Sequence, residues 1–159
     1  MKYDYFSLME SGELAKSDLE SEQDFMTRVL TDIFSCHESD SVNDKLAPAF
    51  TACSAENRAL TVSYIAQEWM LNPNGTLHGG ILSTATDIAM CVLGRYLAKK
   101  RTIVTAQLSM NFLRTVQKGD TFNVHAVADH VGKRSIMMHA YITTDKSEKP
   151  VATATAVLM

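Results

Sequence analysis

The sequence predicts an α+β domain in which an antiparallel sheet wraps around one long buried helix, with a further helix added at the N-terminus. Three observations predict it. From Ile81 to about Leu97 runs a helix whose faces carry Ile81, Leu82, Ala85, Ile88, Ala89, Val92 and Leu93, with Asp87 the only charge between His78 and Gly94. A helix apolar nearly all round belongs inside a core. Stretches on both sides of it alternate with period two, as strands with one buried face do. The length of 159 residues, 46% of them apolar, suits a single core that withdraws about 70% of the unfolded surface from water.

The elements follow in order. Phe25, Met26, Val29, Leu30, Ile33 and Phe34 recur on one helix face, and Ser17 with Glu20 makes a capping-box pattern for its first turn. This reads as a packing helix rather than a partner-binding one. Residues 36–46 lack periodicity and are rich in turn formers, which makes them the connector that completes an N-terminal helical extension, 1–46, ahead of a main domain, 47–159. Strands are then expected in residues 59–69 (Leu60, Val62, Tyr64, Ala66) and 102–113 (Val104, Ala106, Leu108, Met110, Phe112), each with one buried face. Two more follow the turns at Lys118-Gly119-Asp120 and at Gly132, burying Phe122, Val124, Ala126, Ala128 and then Ile136, Met138, Ala140, Ile142. A last strand, residues 151–159, puts Ala152, Ala154 and Ala156 on one face, where small side chains let a helix come close. Trp69, Met70, Met90 and Met110 are pocket candidates, although methionines at such positions belong more often to the core.

Composition narrows the function. The net charge of -3 argues against a nucleic-acid partner, and the N-terminus carries no apolar run suited to a signal peptide or a membrane span. Residues 1–46 carry a net charge of -7 and residues 47–159 one of +4, so the main domain suits an anionic small ligand. Cys36, Cys53 and Cys91 are odd in number and lack Cys-x-x-Cys spacing, which fits a soluble protein of a reducing cytoplasm. His125, His130 and His139 do not make a metal-binding pattern, so no metal or other cofactor is expected. There is no Gly-x-Ser-x-Gly elbow and no Gly-rich phosphate loop.

The segment Asn72-Pro73-Asn74-Gly75-Thr76-Leu77-His78-Gly79-Gly80 leads into the apolar helix. Glycines at a helix start leave amide N–H groups unpaired and unobstructed at the positive end of the helix dipole, which suits a developing oxyanion; the alternative is an ordinary tight turn. Asp87 is an isolated carboxylate in an apolar helix, and desolvation there is costly unless it is paired. Burial would make it a better base for water, or a nucleophile able to attack through a mixed anhydride. The competing reading is a carboxylate bonded to a backbone N–H or facing an interface.

The run Asn72-Pro-x-Gly75-x-x-His78-Gly79-Gly80 followed by Asp87 resembles the hotdog-fold acyl-CoA thioesterases of the phenylacetic-acid-degradation (PaaI-like) type. The resemblance continues through Thr105, Asn111-Phe112-Leu113-Arg114, Gly119-Asp120, Val131-Gly132-Lys133 and Val151-Ala152, and covers residue 47 to the end. Thr115 stands where the family commonly has proline, and Thr105 where it often has serine. The resemblance implies hydrolysis of acyl-CoA, with the Gly79 amide as oxyanion donor and Gly80 beside it. Asn72 and His78 would shape the loop or bind thioester or water, and Thr105 would help hold the water. Lys133 and Arg134 would lie near the nucleotide end of the ligand, in preference to Lys99, Lys100 and Arg101, which can simply complement the helix dipole. Coenzyme A would be part of the substrate. The same fold can hold acyl-CoA without cleaving it, as a sensing module; a hydratase would use an aspartate-and-histidine motif not found here.

Gly80 and Asp87 are seven residues apart, so they share a helix face but lie roughly 10 Å apart along the axis. That is too far to serve one carbonyl carbon. The expected remedy is a homodimer, or a dimer of dimers, with sheets joined edge to edge and Asp87 of one subunit beside Gly79 of the other.

Overall fold

The structure is a computed structural model, and it describes residues 15–35, 41–99 and 102–159. Cys36, Lys100 and Arg101, and part of the expected connector, lie outside the described residues.

Helix α1 spans Glu22–Ser35 and buries Phe25, Met26, Val29, Leu30 and Phe34, the apolar stripe read from the sequence. It starts later than the Ser17/Glu20 pair suggests. That pair closes a turn, with Glu20 N–H donating to Ser17 O at 3.1 Å. The functional cap is Ser21, whose Oγ accepts from Asp24 N–H at 3.0 Å. A cap is worth about 1 kcal/mol, whereas burying a large apolar side chain is worth roughly 1.5–3 kcal/mol, so the helix begins where the stripe begins. Gln23 ties it to the sheet, accepting from Ala55 N–H at 2.8 Å and donating to Cys53 O at 3.0 Å. What the sequence suggested as connector contains one helical turn, α2 (Val42–Lys45), capped by Ser41.

Six strands follow among the described residues: β1 Ala49–Ser54, β2 Ala59–Ile65, β3 Thr105–Phe112, β4 Thr121–Val131, β5 Ile136–Thr144 and β6 Ser147–Leu158. Helix α3, Gly79–Ala98, falls between β2 and β3. The strands form one sheet in the order β1-β2-β4-β5-β6-β3, and every neighbouring pair is antiparallel. β4 and β5 bury the residues their alternation predicts, and β6 buries Ala152, Ala154, Ala156 and Leu158. Gly94 lets α3 approach the sheet: a Cβ there would lie 2.3 Å from Leu158 Cδ1 and 2.8 Å from Ile103 Cδ1. The helix is pinned further by Tyr64, whose hydroxyl donates to Ala85 O at 3.0 Å while its ring stacks on Phe122. Met70 and Met90 are fully buried in this core.

Three expectations need correction. β1 escaped the sequence reading, because it is an edge strand with a register irregularity between Phe50 and Ala52 and no clean alternation. β2 ends at Ile65, and a 3-10 turn, Glu68–Met70, takes the rest of its expected length. In β3 and the residue before it the alternation is right but the cover is missing: Ala106 is exposed, Val104 and Phe112 are 64% and 54% exposed, and Leu108 and Met110 are half-buried. The reason is position. β3 is the edge beyond β6, whereas the opposite edge, β1, carries α1.

The turn before β4 is a structural anchor. Gly119 adopts φ +80°, which favours glycine, and Asp120 accepts from Gln117 N–H at 3.1 Å and from the Lys146 ammonium. The bonded Lys146 holds the Asp120 carboxyl below its ordinary value of 3.8 despite an opposing desolvation effect, with the Gln117 amide adding to the lowering. A depressed carboxylate stabilises the fold fully above its unfolded value, and this stabilisation is lost as pH falls through the folded value. Asp120→Asn should therefore lower the melting temperature by a few degrees at pH 7, and the difference should shrink in a thermal-melt series as pH falls below the ordinary value of 3.8 and through the depressed one.

Candidate active site

The loop from Leu71 to His78 is built on Asn72. Its Oδ1 accepts from Asn74 N–H at 2.9 Å and Thr76 N–H at 3.3 Å, and its Nδ2 donates to Thr76 Oγ1 at 3.0 Å. Gly75, at φ +77°, allows the reversal. The loop is then fixed to its surroundings by Leu77 N–H donating to Val116 O and His78 N–H donating to Met70 O, both at 2.9 Å. Asn72 thus shapes the loop; its amide is engaged within it.

His78 caps α3. Its Nδ1 accepts from Gly80 N–H at 2.9 Å, which leaves the ring proton on Nε2, and the ring is exposed. The Gly80 amide is consequently occupied. The Gly79 N–H has no hydrogen-bond partner among the described residues and stands at the positive end of a 20-residue helix. Between the two adjacent glycines, the structure separates a capped amide from an open one. A Cβ on Gly79 would also lie 3.2 Å from Cζ of Phe112, so glycine leaves room for that ring at the end of β3.

Two turns further along α3, Asp87 is half-buried and Thr105 Oγ1 donates to its Oδ1 at 2.7 Å. Cys91, one turn beyond Asp87, lies 3.1 Å from the same hydroxyl and 3.9 Å from Asp87 Oδ1. In the sequence Cys91 figures only in the cysteine count. Its i+4 spacing from Asp87 was the available signal.

Lys133 and Arg134 are exposed in the turn between β4 and β5, where Gly132 N–H donates to Ser135 O at 2.9 Å. Register places this turn at the Thr105 end of the sheet, because Thr105 pairs with Leu158, Leu158 with Ile136, and Ile136 with Val131. Two strand spacings, roughly 10 Å, separate Thr105 from Ile136. Lys99 is exposed at the far end of α3, beside a cavity of about 660 Å³ lined also by Met26, Arg58 and Tyr96. Tyr96 is nine residues from Asp87, roughly 13 Å along the helix. This cavity is separate from the Asp87–Thr105 pair.

The profile of the thioesterase superfamily matches residues 74–151, a stretch that includes Gly75, His78, Gly79, Asp87 and Thr105. A Pseudomonas aeruginosa protein named esterase PA0474 is 35% identical over 118 residues, covering 72% of this chain and 84% of that protein. The chain belongs to the thioesterase superfamily. As expected of this superfamily member, the sheet and its central helix make a hotdog fold. A Ralstonia eutropha structure described as a phenylacetic acid degradation-related thioesterase superposes with a TM-score of 0.70 at 27% identity, covering 98% of this chain and 99% of that one. A Streptococcus mutans protein solved with acetyl CoA superposes with a TM-score of 0.61 at 25% identity, over 78% of this chain and 94% of that one. A Buchnera aphidicola protein, "Uncharacterized acyl-CoA thioester hydrolase BU274", is 29% identical over 76 residues, 48% of this chain. The chain spans 56% of that relative's length, and 46% of the length of a Candida albicans mitochondrial relative.

Proposed function

We propose that this thioesterase-superfamily protein hydrolyses acyl-CoA thioesters to free acid and coenzyme A. The observation that carries the reading is the pairing of one open helix N-terminal amide, Gly79, with one carboxylate, Asp87, held by a hydroxyl. The thioester carbonyl oxygen accepts from Gly79 N–H, which favours the charge that develops as the carbonyl is attacked. Thr105 occupies Asp87 Oδ1, so Oδ2 is the atom that takes the proton of an attacking water or itself attacks the carbonyl carbon. The His78 ring, fixed by its bond to Gly80, presents Nε2–H beside the same loop. Lys133 and Arg134 offer positive charge for coenzyme A phosphates at the Thr105 end of the sheet. A bound acetyl CoA in the Streptococcus mutans relative is consistent with that ligand class.

The site is completed by a second copy of the chain. Eight residues of helix put Gly79 and Asp87 of one chain roughly 12 Å apart along the axis, so one carbonyl is served by Asp87 of one copy and Gly79 of the other. An eight-residue edge strand with exposed apolar side chains is an aggregation hazard unless it is covered, and two-fold pairing of β3 with its counterpart covers it.

The test is a panel of aliphatic and aromatic acyl-CoAs with free coenzyme A thiol as the readout. Turnover of at least one, undiminished by chelator, is expected. Saturable binding across the panel without turnover would replace this reading with a sensing module.

A further inference from the structure

Cys91 is used by nothing in the chemistry above, yet its Sγ lies 3.1 Å from the hydroxyl that holds Asp87. The direction of these bonds follows from counting protons. An ionised carboxylate only accepts, so the single hydroxyl proton of Thr105 is spent on Asp87 Oδ1 at 2.7 Å. Thr105 Oγ1 can then only accept from Cys91. The thiol has the proton to give, because burial above all pushes it up from its ordinary value against an opposing effect of the Thr105 bond, and of its two acceptors the Thr105 oxygen at 3.1 Å is far nearer than Asp87 Oδ1 at 3.9 Å. Asp87 and Cys91 are one helical turn apart, so α3 presents both to β3 as a rigid pair. Free rotation would otherwise let the Thr105 hydroxyl turn its proton toward solvent or substrate.

We propose that Cys91 is a positioning residue whose S–H donates to Thr105 Oγ1 and thereby commits the Thr105 proton to Asp87. The chain of donors runs Cys91 to Thr105 to Asp87 and ends on a carboxylate with Oδ2 left for the reaction. It rests on the proposed role of Asp87.

Kinetics and spectroscopy test it separately. Cys91→Ala should lower kcat about three- to tenfold, the scale of one neutral hydrogen bond, with KM within about twofold. Cys91→Ser, which keeps a donor, should recover most of the loss. In a Thr105→Val background, Cys91→Ala should cost nothing further, because its effect passes through the missing hydroxyl. The S–H stretch of Cys91, isolated as the infrared difference between wild type and Cys91→Ala, should lie below that of an unbonded thiol and rise in Thr105→Val. A serine variant as slow as the alanine variant, two additive substitutions, or an unbonded S–H stretch would each overturn the proposal. Wild-type protein that turns over no acyl-CoA would overturn the function instead, and the S–H stretch would still decide the donor chain.

Discussion

Asp87→Asn is expected to lower acyl-CoA turnover by about a hundredfold or more, the usual scale for loss of a catalytic base or nucleophile. Asparagine is the informative replacement, because its Oδ1 can still accept from the Thr105 hydroxyl and keep the side chain in place. Only the basic and nucleophilic second oxygen is lost. The loss should fall on kcat, since the acyl-CoA contacts proposed at Gly79, Lys133 and Arg134 are untouched. A circular dichroism melt that matches the wild type secures the comparison. Unchanged turnover in such a folded variant would remove Asp87 from the mechanism.

Mixing two inactive chains should restore activity. In the proposed two-fold assembly, an Asp87→Asn chain still supplies an intact Gly79, and a Gly79→Val chain an intact Asp87, so each mixed dimer would have one complete site. Free exchange makes about half the dimers mixed, and recovery should approach about a quarter of wild-type activity. Gly79→Val is a fair partner, because the new side chain meets the Phe112 ring, which is 54% exposed and able to swing aside. Each parent must be shown to fold and dimerise. Mixed dimers verified by mass spectrometry that stay as inactive as their parents would show that the site is not shared, as would a fully active monomer.

Much of this was legible because it is periodic. The α3 faces and the alternation of Phe122–Ala128 and Ile136–Ile142 follow from burial, and burial writes a pattern into the sequence. Alternation reports which way a side chain faces and not what covers it, so Val104 and Phe112 read as buried though the edge of the sheet leaves them exposed. β1 wrote no pattern, since an irregular edge strand under a helix buries little on an alternating face. At the site, Gly79, Asp87 and the Asn72 loop were visible as residue types, and Thr105 as a point of family resemblance. Which glycine amide is open was not visible, because it depends on the rotamer that turns His78 Nδ1 toward Gly80. Cys91 was hidden for a similar reason: its partner lies 14 residues away on another element.

The pairing of Thr105 with Leu158 also sets an order of events during synthesis. Residues 152–158 are made after α3 and β3, and among the described residues β3 has no neighbouring strand other than β6. In that interval Asp87 already sits on a helix that can form locally, but the strand carrying its hydroxyl partner has nothing to pair with. Such non-local pairings close late and leave apolar surface open meanwhile. The hydroxyl that orients the carboxylate is therefore secured only after β6 has been made.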